Sequence, residues 1–308
     1  MADGMRSVLV TGATGSFGQA FTRRLLSMGV ERIVILSRGE HKQAEMAEAF
    51  AAHADRLRFF VGDVRDRDRL EVAMRDVDTV IHAAALKSVP ACEYNPQEAV
   101  ATNVMGTLNV VLAAMRCGVS KAMFISTDKA TAASTLYGAT KFTAERTFIS
   151  ANALGGGRTK FSCVRYGNVI GSNGSVVLLF KRLVAEGTDS LPITDVRMTR
   201  FLWPIEEAVE FTRSSIDMMQ GGEVFVPKLT ARRIVDVARE IAPQLPHRIT
   251  GIRPGEKLHE LLISEDESRS VFDIGDRYVI QSGEPPTHGI PVGEGFVLSS
   301  EKTVDAPH

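Results

Sequence analysis

The sequence predicts an α/β fold with a doubly wound parallel sheet, covered by helices on both faces, and a smaller C-terminal lobe. Two observations predict this class. Short, continuously apolar segments recur through the first half of the chain, for example at 7–11 and 79–82, and such runs are typical of strands buried on both faces. Stretches with the 3.6-residue apolar spacing of helices lie between them.

Each element follows from this alternation. The predicted strands of the first half are 7–11, 32–36, 57–61, 79–82, 121–126 and 161–165. The predicted helices between them are 16–29, 43–53, 66–74, 96–117 and 137–153. The remaining half is less regular, with helices predicted after Ser175, at 206–219 and at 232–242, a strand at 223–226 and an irregular tail after Ser282.

Composition limits the classes of partner. The 308 residues carry 36 Lys and Arg against 37 Asp and Glu, a net charge of −1, which gives no overall attraction to nucleic acid or an anionic membrane. We recognise neither a membrane-length apolar run nor a secretory leader. Three widely spaced cysteines, Cys92, Cys117 and Cys163, fit a reducing compartment. We therefore expect a cytoplasmic protein that binds neither nucleic acid nor membrane.

A glycine-rich loop joins the first predicted strand to the first predicted helix. It reads TGATGSFG over residues 11–18. In a GxxGxxG loop, Gly12 allows the tight turn, Gly15 lets backbone amides approach a pyrophosphate, and Gly18 lets the helix pack closely on the strand. Phosphates then lie at the positive end of the helix dipole. The loop therefore predicts a dinucleotide-binding domain of the Rossmann type.

We place this domain at residues 1–167, with 201–226 returning to it. Residues 168–200 and 227–308 are expected to form the lobe that binds the substrate.

The end of the second strand favours NADP as the cofactor. An acidic residue there would bind the ribose of NAD, whereas this strand ends at Ser37 and Arg38 with Lys42 beyond, which suits the 2′-phosphate of NADP. NAD, with Arg38 as a solvated surface charge, is the alternative. The expected cofactor-binding residues are Gly12, Thr14, Gly15, Ser16, Phe17, Gly18, Ser37, Arg38, Lys42, Asp63, Val64, Ala83, Ala84, Tyr137 and Lys141.

A second motif carries chemistry. Tyr137 and Lys141 form a YxxxK pair, one helical turn apart, and Thr127 ends the preceding strand. With a nicotinamide, such a set oxidises an alcohol, because the lysine lowers the pKa of the tyrosine that takes the hydroxyl proton. Asp128 and Lys129 follow directly. A simple alcohol dehydrogenase needs neither, whereas elimination of water needs both an acid and a base.

Together these motifs resemble the extended short-chain dehydrogenase/reductase family. Within it the chain most closely resembles the inverting UDP-N-acetylglucosamine 4,6-dehydratases, which open pseudaminic-acid biosynthesis. The shared stretches are TGATGSFG (11–18), VGDVRD (61–66), HAAALKSVP (82–90), STDKA (126–130), LYGATK (136–141), VRYGNVIGSNGSV (164–176), ITDVRMTRF (193–201), GGEVFVPK (221–228) and GIRPGEKLHE (251–260). The segment 131–135 departs from the family, which usually has Asn and Pro there.

The resemblance implies a lyase that uses NADP to convert UDP-N-acetylglucosamine to UDP-2-acetamido-2,6-dideoxy-β-L-arabino-hexos-4-ulose. It implies that Tyr137 takes the proton of the 4-hydroxyl, Thr127 hydrogen-bonds the ketone and Lys141 holds the ribose. Asp128 would protonate the leaving 6-hydroxyl, and Lys129 would remove the carbon 5 proton. Since an ammonium cannot accept a proton, we expect burial or a nearby positive charge to lower the pKa of Lys129.

The second lobe is expected to hold the UDP-sugar, with an arginine suited to the pyrophosphate. The candidate substrate-binding residues are Lys87, Asn168, Arg253 and Glu256. We expect no metal, because no ligand cluster accompanies His82 or His259, and we expect a homo-oligomer.

Three other functions stay open at this stage. A retaining UDP-sugar 4,6-dehydratase and a UDP-sugar 4-epimerase are the enzymatic alternatives. An epimerase has no use for Asp128 and Lys129. A non-catalytic NADP-sensing protein on the same fold is the third, and it would have no need of Tyr137 or Lys141.

Overall fold

Strands and helices alternate through the first half of the chain. The computed structural model describes residues 5–154, 156–172, 174–281, 285–286 and 288–304. Up to residue 164 its elements are β1 Ser7–Thr11, α1 Ser16–Ser27, β2 Arg32–Ser37, α2 Glu40–Ala49, β3 Leu57–Val61, α3 Arg67–Ala73, β4 Thr79–His82, α4 Val89–Tyr94, α5 Pro96–Ala99, α6 Gly106–Cys117, β5 Lys121–Ile125, α7 Leu136–Leu154 and β6 Lys160–Val164. All six predicted strands are present to within one residue, whereas α4 was not predicted.

Short strands dominate the second half. Its elements are β7 Asn168–Ile170, α8 Val176–Ala185, β8 Leu191–Ile193, β9 Thr199–Pro204, α9 Ile205–Met218, β10 Val224–Pro227, β11 Ala231–Arg233, α10 Ile234–Ile241, β12 His247–Ile249, β13 Leu261–Ile263, β14 Val271–Asp273, β15 Arg277–Ile280, β16 Ile290–Pro291 and β17 Leu298–Ser299. The sequence predicted α8, α9, α10 and β10. In the predicted tail, 282–284, 287 and 305–308 lie outside the described residues.

One large sheet organises the described residues. Its strand order is β16-β14-β15-β10-β6-β5-β4-β1-β2-β3. From β3 to β10 neighbouring strands are parallel, in the order of the doubly wound dinucleotide-binding fold, and β15, β14 and β16 add an antiparallel edge. The predicted fold class is confirmed. Because parallel strands end at the same edge, the residues after β1, β4 and β5 meet there.

The lobe is less separate than the sequence indicated. Strand β10 pairs with β6 in the large sheet. Strands β14 and β15, from the stretch 227–308 assigned to the lobe, extend the same sheet. The other strands form small sheets of their own, and Phe180, Ile193 and Ile234 belong to a separate apolar cluster beside them. The division at residue 167 therefore stays a prediction.

The segment Pro96–Cys117 runs as a continuous helix through α5, a π-helical turn at Val100–Met105 and α6. Its mean hydropathy of 1.3 and its length would suffice to cross a membrane, and half of it is buried inside the protein. In the π-helical turn, the buried Asn103 amide accepts from the Leu86 N–H at 2.8 Å and donates to the Leu86 carbonyl at 3.0 Å. These bonds fix the loop after β4.

A buried ion cluster ties the sheet to the C-terminal part. Arg165 follows β6, and its side chain is only 1% exposed. Its guanidinium contacts Glu145 of α7 at 2.5 Å and Glu267 at 2.7 Å and donates to the Leu262 carbonyl at 3.0 Å. The Ser126 hydroxyl donates to the second oxygen of Glu145 at 2.6 Å. Segments that are distant in sequence are thus joined by contacts with the buried guanidinium of Arg165.

We expect Arg165→Leu to lower the free energy of unfolding by about 3–5 kcal/mol, because Glu145 and Glu267 would be left buried without their cation. Urea denaturation measures this. The control is Arg269→Leu, whose pair with Glu294 at 3.3 Å is exposed on both sides, so less than about 1 kcal/mol should be lost. Equal losses in the two variants would contradict the stabilising role of the cluster.

Candidate active site

A cavity of about 1540 Å³ opens at the carboxyl edge of the sheet and reaches from the glycine loop to the C-terminal part of the chain. All predicted site residues except Asp128 line it. Asp128 lies beneath the surface with no exposed area. The residues predicted from separate motifs are therefore brought together in one place.

The glycine loop leaves no room for larger side chains. Gly12 has a φ of +66°, and a Cβ there would lie 2.8 Å from the Ala84 nitrogen. A Cβ on Gly18 would lie 2.5 Å from the Ala13 Cα. Helix α1 begins at Ser16 with Gly15 as an N-cap that offers no side-chain hydrogen bond. The loop and the positive end of α1 therefore fit a bound pyrophosphate.

Cationic side chains surround the end of β2. Arg38 and Lys42 line the cavity as predicted, and His41, which the sequence reading missed, lies beside them. Asp63 accepts from Arg65 at 2.7 Å and lies 4.0 Å from Arg38. Partial burial opposes ionisation, but the hydrogen bonds from Arg65 and the charge of Arg38 lower the pKa of Asp63. This end of the cavity thus holds one carboxylate among several positive groups.

A continuous series of polar contacts links the predicted catalytic residues. The Thr127 side chain acts on Tyr137 to favour its phenolate form, and the Thr127 hydroxyl donates to Asp128 Oδ1 at 3.0 Å. Lys129 Nζ donates to the same oxygen at 3.0 Å. The ammonium also lies 3.3 Å from Oε1 of Glu260, a residue that the sequence reading did not select.

Tyr137 and Lys141 behave differently from the prediction. Burial raises the pKa of Tyr137 to about 12, and the charge of Lys129 and the Thr127 hydrogen bond oppose that rise. Lys129, rather than Lys141, is therefore the cation with the largest effect on Tyr137. Lys141 instead donates to the Ile125 carbonyl at 2.7 Å and lies 3.9 Å from the ring centre of Phe124.

The predicted low pKa of Lys129 is wrong for this structure. Burial alone would lower it, but the neighbouring Asp128 and Glu260 carboxylates raise the pKa of Lys129 above that of an ordinary lysine. The prediction failed because Glu260 lies 131 positions further along the chain. Arg200 Nε lies 3.7 Å from Glu260. Asp128, Lys129, Arg200 and Glu260 thus form a largely buried cluster with two positive and two negative side chains.

The residues that complete this cluster were missed because no spacing rule connects them. Arg200 and Glu260 lie within the stretches 193–201 and 251–260, which resemble the family. Their burial, at 7% and 2% exposed, is visible only in the fold. Lys257 approaches from the same segment and donates to the Thr131 carbonyl at 2.7 Å.

The candidate substrate residues face the same space. Burial and the charge of Lys129 lower the pKa of Lys87. The buried Oδ1 of Asn168 has no hydrogen-bond partner in the part of the chain that the structure describes. Arg253, whose side chain is 66% exposed, lies 3.7 Å from Glu256. Free donors and acceptors thus line the far end of the cavity.

His82 is a core residue behind the cofactor end. Its ring nitrogens hydrogen-bond Thr11 at 2.7 Å and Thr107 at 2.9 Å. Complete burial lowers the pKa of His82 to about 3, so the ring is neutral. Among the described residues, no group of three or more His, Cys, Asp and Glu side chains is placed to hold a metal ion.

Comparisons with known proteins agree with this site. Residues 8–282 match the family described as polysaccharide biosynthesis protein. An inverting UDP-N-acetylglucosamine 4,6-dehydratase of Campylobacter jejuni is 50% identical over 277 residues, which cover 89% of this chain and 82% of the relative. A UDP-glucose 4-epimerase of Rickettsia rickettsii is 38% identical over 284 residues, with the same two coverages.

Among solved structures, the X-ray structure of Pen from Bacillus thuringiensis superposes with a TM-score of 0.93 at 34% identity, over 99% of this chain and 96% of that one. The dinucleotide cradle and the buried Tyr–Thr–Asp–Lys series define an enzyme of the extended short-chain dehydrogenase/reductase class. The chain belongs to the polysaccharide biosynthesis protein family, and the inverting UDP-N-acetylglucosamine 4,6-dehydratases, which are lyases, are relatives that share 50% of its sequence.

The buried Lys141 generates a stability prediction. Burial lowers its pKa to about 7, so the folded state binds its proton less tightly than the unfolded state does. The resulting penalty is complete below pH 7 and disappears as the pH rises towards the unfolded value of 10.5. At about 1.4 kcal/mol per pH unit, we expect Lys141→Met to stabilise the free protein at pH 7 by roughly 2–4 kcal/mol.

Urea denaturation between pH 7 and pH 10 measures this difference, which should narrow as the pH rises. The exposed Lys181 supplies the control, since Lys181→Met should change stability by less than about 0.5 kcal/mol at any of these pH values. A Lys141→Met variant that is less stable than the wild type at pH 7 would contradict the burial penalty.

Proposed function

We propose that this protein is an NADP-dependent enzyme that removes water from UDP-N-acetylglucosamine and inverts carbon 5. The product is UDP-2-acetamido-2,6-dideoxy-β-L-arabino-hexos-4-ulose, and the reaction would open pseudaminic-acid biosynthesis. One observation carries the proposal: Tyr137, Thr127 and Lys129 line the same cavity as the dinucleotide cradle, and Asp128, directly beneath its surface, contacts both Thr127 and Lys129. It combines an oxidation pair with an acid and a base for elimination.

The cofactor proposal depends on the end of β2. Ser37, Arg38, His41 and Lys42 line that part of the cavity, and the carboxylate beside them, Asp63, is paired with Arg65, which favours the 2′-phosphate of NADP over the free ribose hydroxyl of NAD. The glycine loop would hold the pyrophosphate. When bound, NADP would supply the hydride acceptor for oxidation at carbon 4 and the hydride donor for reduction at carbon 6, so that none would be consumed.

Tyr137 acts first. Its phenolate takes the proton of the 4-hydroxyl as carbon 4 is oxidised to a ketone. Lys129 is the cation that favours this phenolate, while burial opposes it. The Thr127 hydroxyl lies between Tyr137 and Asp128, where it can hydrogen-bond the ketone oxygen once substrate is bound. The ketone then makes the proton on carbon 5 acidic.

Elimination follows from the pairing of Asp128 with Lys129. Transfer of one proton from the ammonium to the carboxylate, across 3.0 Å, produces both an amine and a carboxylic acid. The amine takes the carbon 5 proton, the C5–H electron pair forms the C5=C6 bond, and the 6-hydroxyl leaves as water with the proton of Asp128. The residues return to ammonium and carboxylate. Hydride would then return to carbon 6 while a proton from solvent, delivered to the face of carbon 5 opposite Lys129, inverts that carbon. Exclusion of water by bound sugar favours the neutral pair.

The other assignments are parts of the same proposal. Lys87, Asn168, Arg253 and Glu256 would bind the UDP-sugar, with the guanidinium at the pyrophosphate. The cytoplasmic location and the homo-oligomeric state stay predictions.

A UDP-sugar 4-epimerase is the second candidate, favoured by the 38% identical relative from Rickettsia rickettsii, which is described as an epimerase. Asp128 and Lys129 argue against it, because epimerisation at carbon 4 requires neither. A retaining 4,6-dehydratase differs from the proposal only in the configuration at carbon 5.

The wild-type protein should convert UDP-N-acetylglucosamine to a product lighter by one water, without added cofactor, because the hydride is returned. Mass spectrometry measures the loss, and proton NMR in heavy water shows deuterium and an inverted configuration at carbon 5. The nucleotide released on denaturation should be NADP. Unchanged mass would indicate epimerisation, unchanged ring couplings a retaining enzyme, and equimolar accumulation of NADPH a plain dehydrogenase.

Lys129→Ala and Tyr137→Phe should fail at different steps, each slowing dehydration by about 10²–10⁴-fold. Without Lys129, oxidation is slower because the Tyr137 phenolate is less favoured, but it still occurs while the carbon 5 proton is not removed, so added substrate should slowly leave reduced nicotinamide visible by absorbance. Without the phenol, oxidation itself is blocked and no reduced nicotinamide should appear. If Lys129→Ala still incorporates deuterium at carbon 5 at the wild-type rate, Lys129 is not the base.

A further inference from the structure

We propose that Glu260 is a positioning residue of this active site, which holds the Lys129 ammonium together with Asp128 and keeps a proton on it between turnovers. The proposal rests on the proposed function for the role of Lys129 as the base. It adds a residue from the distant C-terminal part of the chain to the acid–base machinery.

The geometry fixes Glu260 with little freedom. The residue is 2% exposed and directly precedes β13. Its backbone N–H donates to the Ser300 hydroxyl at 2.8 Å, and its carbonyl accepts from the Ser300 N–H at 2.9 Å. With the main chain held at both ends, Oε1 lies 3.3 Å from Lys129 Nζ and 3.7 Å from Arg200 Nε. Lys129 is thus clamped by two carboxylates from unrelated segments.

The second oxygen of each carboxylate is unused. Glu260 Oε2 and Asp128 Oδ2 are buried and have no hydrogen-bond partner within the described part of the chain. A buried carboxylate oxygen without a donor is costly, and Glu260 lines the cavity. The cluster can therefore take one more proton. When Lys129 holds the proton from carbon 5, transfer to Glu260 yields the amine and a carboxylic acid, with no proton lost to solvent.

The charges around Lys129 come from several elements. The groups that face it are Asp128 on its own turn, Tyr137 on α7, Arg200 on β9, Lys87 after β4, and Lys257 and Glu260 before β13. The cations among them disfavour the ammonium, whereas the two carboxylates favour it. The carboxylates prevail and raise the pKa of Lys129 against the effect of burial. Removal of Glu260 would leave one carboxylate facing three cations.

The balance between carboxylates and cations around Lys129 determines the direction in which the pKa of Lys129 should move. In Glu260→Gln the pKa of Lys129 should fall, so the neutral amine forms at lower pH than in the wild type. Because Lys129 and Asp128 must together hold one proton for elimination, its loss to solvent stops dehydration, so the basic limb of the pH profile should move to lower pH. The maximal rate should fall by about ten- to a hundredfold, because the amine is held less well over the reacting carbon.

The test begins with a measurement that does not require activity. Acetic anhydride acylates only the neutral amine, and peptide mass spectrometry gives the labelling of Lys129 at each pH. We expect the labelling curve of Glu260→Gln to lie at lower pH than that of the wild type, with Glu260→Asp between them. Glu223→Gln is the control, because Glu223 is equally buried but is bound to Ser162 at 2.5 Å, away from the cavity. Its curve should coincide with that of the wild type.

The kinetic arm separates the two proposals. Coincident labelling curves for Glu260→Gln and the wild type would overturn the role of Glu260, even if the wild type dehydrates UDP-N-acetylglucosamine. If the labelling curve of Glu260→Gln is shifted but the wild type forms no dehydrated product, Glu260 does position Lys129, and the proposed function is overturned. If Glu260→Gln does not fold, Glu260→Asp decides, since moving the charge back by one methylene should shift the curve in the same direction.

Discussion

The parallel pairing of β1, β4, β5 and β6 is the constraint on which the site depends. Register places the last residues of these strands side by side at one edge, and Thr127, Asp128 and Lys129 follow β5 there. Helix α7 packs so closely on this turn that a Cβ on Gly138 would lie 2.3 Å from the Lys129 carbonyl oxygen. Charged groups are therefore held where little water can reach them, and they need partners within the protein.

Those partners come from segments much later in the chain, so the packing of these segments on the sheet also affects the charges of the site. Arg200 and Glu260 balance the charges of Asp128 and Lys129, and removal of any one member would leave an uncompensated buried charge. The Arg165 cluster repeats this arrangement, since its carboxylates belong to α7 and to the segment after β13. The segments that close the cavity thus also balance the buried charges beneath it. A substitution that alters their packing should therefore also alter the charge balance of the site.

Local patterns were sufficient for the parallel strands at the N-terminal part of the large sheet. The bounds of β1, β3 and β4 match the prediction, because buried parallel strands are recognisable in a sequence as continuous apolar runs. The strands β13 to β17 were missed, since they have only two to four residues and lie outside the regular alternation of apolar runs and helices that marks β4. The sign of the pKa shift of Lys129 was wrong for a related reason: it depends on Glu260, and only the tertiary fold brings that carboxylate within reach.

The two lysines of the cavity illustrate why a charged resting state suits this chemistry. Burial without a carboxylate in contact brings the pKa of Lys141 to about 7, whereas two carboxylates keep Lys129 protonated. A base that rests as an ammonium is unsuited to its role only if its proton must leave for solvent. In the proposed mechanism the proton goes instead to Asp128 at 3.0 Å, the group that would protonate the leaving hydroxyl. In that mechanism, one proton transfer makes Lys129 a base and Asp128 an acid. The resulting neutral pair becomes favourable only after bound sugar has excluded water. Elimination is thereby tied to substrate occupancy.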